Sequence, residues 1–177
     1  MEISFSNDIM EKSKQNISLC YQCKKCAAGC PARDIMQHKN YELLRLIQFN
    51  EKDTVYKSNS PWVCMSCKAC SARCPNGIDT AKIMDVLKEE VLRFGTVVPE
   101  RKIATFHDAF LTTVRQFGRA FELGMIGIYK MKTGSFMQDA ILGLKMMKRN
   151  KLNFLPHRIA GTKDIKDIFT QAREPKK

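Results

Sequence analysis

The sequence predicts an all-α protein, with cysteine-rich loops set among helices and further helices after them. Three observations predict this. Apolar residues recur at helical spacing along most of the chain. No pair of alternating runs flanks an Asn-Gly type of turn, so no β-hairpin is expected. All eight cysteines fall in two short runs built on one template, CYQCKKCAAGCP at 20–31 and CMSCKACSARCP at 64–75.

The elements follow in order. The first run holds Cys20, Cys23, Cys26, Cys30 and Pro31. Beyond it, Met36, Asn40, Leu43, Leu44 and Ile47 mark one stripe of a helix from about 34 to 50. Asn50 and the EKDTVYKSNSP that follows read as a polar loop. After the second run, Met84, Leu87 and Val91 share a face in GIDTAKIMDVLKEEVLRFG, with Asp79 placed to cap the start and Gly95 to stop the end. Phe106, Phe110, Val114, Phe117 and Phe121 form an apolar stripe over about 100–122. Gly124, Gly127 and Gly134 then break the chain, and Phe136, Ala140, Leu144 and Met147 mark another helix over 135–149, closed by Pro156. Ile165, Ile168, Phe169 and Ala172 share a face of a last short helix.

Bulk properties exclude several classes. At 177 residues the chain can bury a core without covalent staples. No basic region leads into an apolar run at the start, so no secretory signal is expected. No stretch reaches the roughly 20 apolar residues of a spanning helix, so no membrane insertion is expected. The expected compartment is the cytoplasm, where thiols stay reduced. The net charge is +12, divided as +3 over residues 1–95 and +9 over 96–177. The basic residues are scattered rather than blocked, and no nucleic-acid-binding motif accompanies them, so no nucleic-acid partner is expected. Such a surface suits docking to acidic protein partners.

Each cysteine run reads C-x2-C-x2-C-x3-C-P. Structural zinc takes four ligands from two separated Cys-x2-Cys knuckles, and this template has cysteines to spare. Disulfides conflict with the expected compartment. A thioredoxin-type Cys-x-x-Cys would sit beside a strand and would not be repeated. The remaining reading is two [4Fe–4S] clusters. A four-iron cluster needs four thiolates, and in two-cluster ferredoxins the fourth cysteine of each run serves the other cluster. By that rule one cluster takes Cys20, Cys23, Cys26 and Cys74, and the other takes Cys64, Cys67, Cys70 and Cys30. Full cysteine ligation leaves no iron open to substrate, which points to electron transfer. Lys24, Lys25, Lys68 and Arg73 lie in the runs, placed either to stabilise the more negative reduced state or simply as solvated charges. Trp62, just before Cys64, reads equally as a shield or as a core aromatic. His38, His107 and His157 show no metal-ligand spacing, and no catalytic residue is identified. Ten methionines, among them Met125, Met131, Met137, Met146 and Met147, read first as core and then as partner surface.

Paired runs separated by 33 residues resemble the α-helical ferredoxin module of respiratory and anaerobic iron–sulfur subunits. Too few residues precede Cys20 for the plant-type domain of the succinate dehydrogenase kind, and no two cysteines are adjacent as in CCG repeats. CYQCKKCAAGCP, PWVCMSCKACSARCPNGIDTAKIMDVLKEE and, more loosely, KLNFLPHRIAG resemble the C component of heterodisulfide reductase, an iron–sulfur subunit family. The resemblance implies an all-α ferredoxin domain over 1–98 and a helical docking extension over 99–177. It implies electron relay between two other subunits. One contains flavin and iron–sulfur centres. The other has CCG domains and cleaves the disulfide of coenzyme M and coenzyme B, or an analogous substrate. Two other readings are a free-standing two-cluster ferredoxin and an iron–sulfur subunit of a membrane-associated dehydrogenase.

Overall fold

The computed structural model describes residues 4–95, 97–134, 146, 148–149, 155–156 and 159–173. Every regular element among them is helical: α1 (Phe5–Ser13), a 3₁₀ turn (Ile17–Leu19), α2 (Lys25–Ala28), α3 (Asn40–Gln48), α4 (Lys52–Lys57), α5 (Ser60–Val63), α6 (Ala69–Ala72), α7 (Thr80–Arg93), α8 (Arg101–Phe117), α9 (Glu122–Thr133) and α10 (Thr162–Arg173). The chain divides into two compact units, Met1–Arg101 and Lys102–Lys177.

The first unit is built around α3 and α7. Leu43, Leu44 and Ile47 of α3 and Ile83, Met84, Leu87 and Val91 of α7 are buried, as their helical spacing requires. α1 packs on both helices, α5 packs on α7, and the short α2 and α6, one from each cysteine run, pack on each other. Asp79 caps α7 by accepting from the Lys82 N–H at 3.2 Å.

The helix expected from residue 34 begins instead at Asn40. The reason lies in the preceding backbone. Gln37 N–H donates to Asn59 Oδ1 and His38 N–H to Ser60 Oγ, while Ser60 Oγ–H and Asn59 Nδ2 donate to the carbonyls of His38 and Ile35. Side chains thus satisfy the groups that a helix would have paired. Glu42 then accepts from the Lys39 N–H at 2.9 Å, which starts α3. The expected polar loop after Asn50 contains α4 and α5, because Val55, Tyr56 and Trp62 turn inward. Helix α1 carries no cysteine and was not expected; Ile9 on it is fully buried.

In the second unit α8 ends at Phe117, short of the expected 122, and Phe121 becomes the N-cap of α9. Gly124 and Gly127 do not break the chain but lie inside α9. Gly124 has a packing reason: a Cβ there would collide with the Phe121 ring, which folds back onto the helix. The residues buried on α8 are Ala109 and Thr113, while Phe106 and Phe110 of the expected stripe are more than 40% exposed. Phe106 meets Tyr129 edge-on and Phe117 meets Phe121 likewise. Met131 is exposed and Met125 half-buried. Apart from Met146, Lys148 and Arg149, the helix expected over 135–149 lies outside the described residues, as does His157.

Candidate metal centres

The two runs fold alike in detail. In each, the residue before the second cysteine and the residue after it sit in the left-handed region: Gln22 (φ 63°) and Lys24 (φ 64°) in the first, Ser66 (φ 49°) and Lys68 (φ 60°) in the second. Alternation of this kind turns successive backbone N–H groups inward and makes a concavity for negative charge. Lys24 and Lys68 then start α2 and α6 as N-caps, so Cys26 and Cys70 ride on the first turn of a short helix.

Several side chains hold the first run in place. Gln48 Nε2 donates to the carbonyls of Ile17 and Cys20, and Asn76 Nδ2 donates to that of Leu19. Gln15 Oε1 accepts from the Asp79 N–H at 2.8 Å, joining the segment before the first run to the start of α7. At the meeting of α2 and α6, Arg73 lies over Gly29, where a Cβ would stand about 2.5 Å from its Nε. These two residues hold the same place in the template. Two large side chains could not share that spot, so the runs differ there.

The structure sorts the eight thiols into two foursomes. Cys20, Cys23, Cys26 and Cys74 line one hollow, with Lys24, Tyr41 and Thr80 beside them. Cys30, Cys64, Cys67 and Cys70 line another, with Lys68, Asn40 and Ala81. Each foursome draws three thiols from one run and the last from the other. Asn40 and Thr80, the first residues of α3 and α7, each line the hollow that holds the other run's first three cysteines. None of the eight cysteines is in a disulfide. The middle one of each trio, Cys23 and Cys67, is exposed, whereas Cys26 and Cys70 are buried together with Ala81 against Tyr41.

Burial pushes the Cys26 thiol up to about 11, against a partly offsetting N–H from Ala27, and it also raises Cys64 and Cys70. The protein alone therefore keeps these thiols protonated, and a bound metal centre would deprotonate them outright. Among the described residues no three His, Cys, Asp or Glu side chains converge on a point that one ion could occupy. The thiols instead stand around a space, which fits a cluster that offers an iron at each of four corners. Trp62 is buried on α5 and lines neither hollow, nor do His38 and His107. Asn40, Tyr41 and Thr80 were not singled out from the sequence as site residues. Their signal is position, at the starts of the two helices that follow the runs.

The sequence pattern of the family described as "4Fe-4S dicluster domain" matches residues 7–79. Over 78 residues the chain is 33% identical to a protein of Methanopyrus kandleri, a homologue named as the C component, an iron-sulfur subunit, of CoB--CoM heterodisulfide reductase. That match covers 44% of this chain and only 39% of the relative's length. Residues 7–79 thus carry the pattern of a 4Fe-4S dicluster domain on an all-helical frame, and the cofactors that go with it are two [4Fe-4S] clusters.

Proposed function

We propose that this chain is an electron-relay subunit of a heterodisulfide-reductase-type complex. In this reading Cys20, Cys23, Cys26 and Cys74 hold one cluster, and Cys64, Cys67, Cys70 and Cys30 hold the other. The observation that carries it is the sorting of the thiols into two foursomes, each around its own hollow. Clusters of this type supply one-electron chemistry without proton transfer at the iron.

The chain's own residues do the rest. Four thiols per hollow occupy every corner, so none is left for substrate, and the chain conducts rather than catalyses. The exposed Cys23 and Cys67, near exposed Tyr21 and Met65, bring each hollow to the surface and give each its own place of exchange. The buried pair Cys26 and Cys70 lies between the hollows and shortens the path from one to the other. Lys24 and Lys68, one at each hollow, offset the negative charge that four thiolates bring.

The partners in this reading are a flavin- and iron–sulfur-containing subunit on one side and a CCG-domain subunit on the other, in the cytoplasm. The substrate of the whole assembly is the CoM–CoB heterodisulfide or an analogous disulfide. Residues 99–177 serve for docking: Phe106, Phe110 and Leu111 of α8 and Ile168 of α10 are exposed apolar side chains suited to burial against another subunit. No described helix is long and apolar enough to cross a membrane.

Gentle anaerobic purification of the chain from its native cells tests the assignment. Recovery with a flavoprotein and a CCG-type subunit supports it. Recovery alone, with about eight irons in two four-iron clusters, replaces it with a diffusing ferredoxin. Recovery in a membrane fraction replaces it with a membrane-associated dehydrogenase subunit. For the ligand sets, Cys74→Ser is expected to remove the cluster of Cys20, Cys23 and Cys26 and to leave the other, seen as a fall to about half the iron and loss of one EPR signal. Loss of the second run's signal instead would overturn the crossed grouping.

A further inference from the structure

The two runs share a template and a backbone, so the places where their side chains differ stand out. Position 22 of the first run corresponds to 66 of the second, and 27 corresponds to 71. Gln22 Nε2 donates to Cys20 Sγ at 3.4 Å and to the Tyr41 carbonyl at 3.0 Å. Ser66, in the same left-handed conformation, turns its hydroxyl away and donates to Asp85 Oδ1 at 3.1 Å.

The second pair points the same way. Ala27 has no polar side chain, but Ser71 sits with Oγ 3.9 Å from Cys70 Sγ. A hydroxyl has one proton to give. Ser71 gives it to Asp79 Oδ1, in a short contact of 2.6 Å. At 3.9 Å, and with its proton engaged by Asp79, Ser71 gives Cys70 no side-chain donor to match Gln22.

Charge repeats the contrast. Lys24 stands over the Tyr41 ring at 5.5 Å and makes no described ion pair. Its counterpart Lys68 is within 3.4 Å of Asp79 Oδ2, and Lys88 pairs with Asp85 at 2.9 Å. Among the described residues no carboxylate lines either hollow. Both sites have carboxylates one layer out, Glu42 on the Tyr41 hydroxyl at the first and Asp79 and Asp85 at the second, but those at the second are paired with its lysines.

We propose that these substitutions set the two sites to different reduction potentials, the site of Cys20, Cys23, Cys26 and Cys74 being the higher, with Gln22 the positioning residue whose N–H on Cys20 makes it so. The inference rests on the ligand grouping proposed above. A hydrogen-bond donor or a cation near a cluster sulfur favours the more negative reduced state, and lone pairs and carboxylates oppose it. Gln22 supplies a side-chain donor at the first site beside a lysine with no described ion pair, while Asp79 and Asp85 hold the lysines of the second. An electron shared between the sites leaves the second site oxidised by one and the first reduced by one, with no proton moved.

The test is an EPR-monitored redox titration of the full chain, purified anaerobically with both clusters. Wild type is expected to show two separated midpoints. Gln22→Asn is the first variant: asparagine adopts the left-handed conformation readily, but its amide is one methylene short of the sulfur. Gln22→Glu keeps the shape and replaces the donor with charge. In both, the higher midpoint is expected to fall, with the reduced-to-oxidised ratio at a fixed ambient potential down by up to about tenfold, about 59 mV for one electron. The lower midpoint is expected to stay. A purely structural role for Gln22 would change iron content or melting temperature and leave both midpoints where they were, which overturns the proposal, as would coincident midpoints in wild type. The Cys30→Ser background separates this from the ligand grouping. There the surviving signal should be the one that Gln22→Asn moves. If Gln22→Asn moves only the signal that Cys30→Ser abolishes, the grouping beneath the proposal is wrong.

Discussion

Asp79 shows how much one side chain does beside these sites. It caps α7 through the Lys82 N–H, accepts the Ser71 hydroxyl and pairs with Lys68. The Ser71 hydrogen bond, more than the Lys82 N–H and Lys68, holds its carboxyl below the ordinary range, against a smaller opposing effect of burial. Asp79→Ala is expected to cost about 1 kcal/mol at neutral pH, the usual loss for an acidic N-cap. Because the folded group has the lower pKa, its stabilisation is complete above the ordinary carboxylate value of about 3.9 and fades as pH falls through the folded value. Thermal unfolding of wild type and variant, run anaerobically from pH 7 downward, should show a constant gap that closes only below about pH 4. A gap that closed near neutrality would assign the effect to another group. Gly29 and Arg73 make a related point. They occupy the same template position and meet face to face, so the duplication is imperfect where symmetry would have forced a clash.

At the scale of elements, the join of α1 to α7 rests on an ion pair with one buried member. Glu90 has 2% of its side chain exposed, and Lys12 reaches it at 2.6 Å while also holding Asp8 at 2.8 Å. Lys12→Met leaves Glu90 buried without its cation. The expected cost is about 3 kcal/mol, the low end for breaking a buried pair, because the Lys12 side chain keeps some contact with water. Adding Glu90→Leu is expected to restore most of that loss, since a packed apolar residue replaces a buried pair at little cost. Chemical denaturation of the single and double variants checks both. These elements also show what the sequence made legible. Leu43, Leu44, Ile47, Met84, Leu87 and Val91 announced α3 and α7 because their apolar spacing is long and regular. The pairing of each fourth cysteine with the opposite run came from the rule for two-cluster ferredoxins and not from spacing, and it remains the grouping proposed above. The start of α3 was not legible, because Asn59 and Ser60, more than 20 residues away, take over the backbone groups of 35–38. Nor was α9, because a glycine's cost in a helix says nothing of the Phe121 ring that needs the space at Gly124.

For the whole molecule, the cofactors and the fold of the first unit depend on each other. Cys26 and Cys70, buried together with Ala81, line one hollow each, so a cluster in each would tie the two runs to the middle of the unit. The buried thiols are pushed upward in pKa, so it is the iron that keeps them as thiolates. Metal affinity of this kind is folding free energy. The second unit, Lys102–Lys177, holds no cysteine and has its own contacts, among them Phe106 on Tyr129 and Thr113 Oγ1–H on the Phe110 carbonyl. Removing the clusters with a chelator and mild oxidant should therefore act on one unit and spare the other. Amide exchange is expected to rise sharply over 20–31 and 64–75 and at the starts of α3 and α7, where Asn40 and Thr80 line the hollows. Exchange in α8 and α9 is expected to stay as it was, because neither helix carries a cysteine and their described ring contacts, Phe106 on Tyr129 and Phe117 on Phe121, lie outside the cysteine runs. Equal loss of protection in α8 would mean that the two units fold as one cooperative body, with the clusters stabilising both.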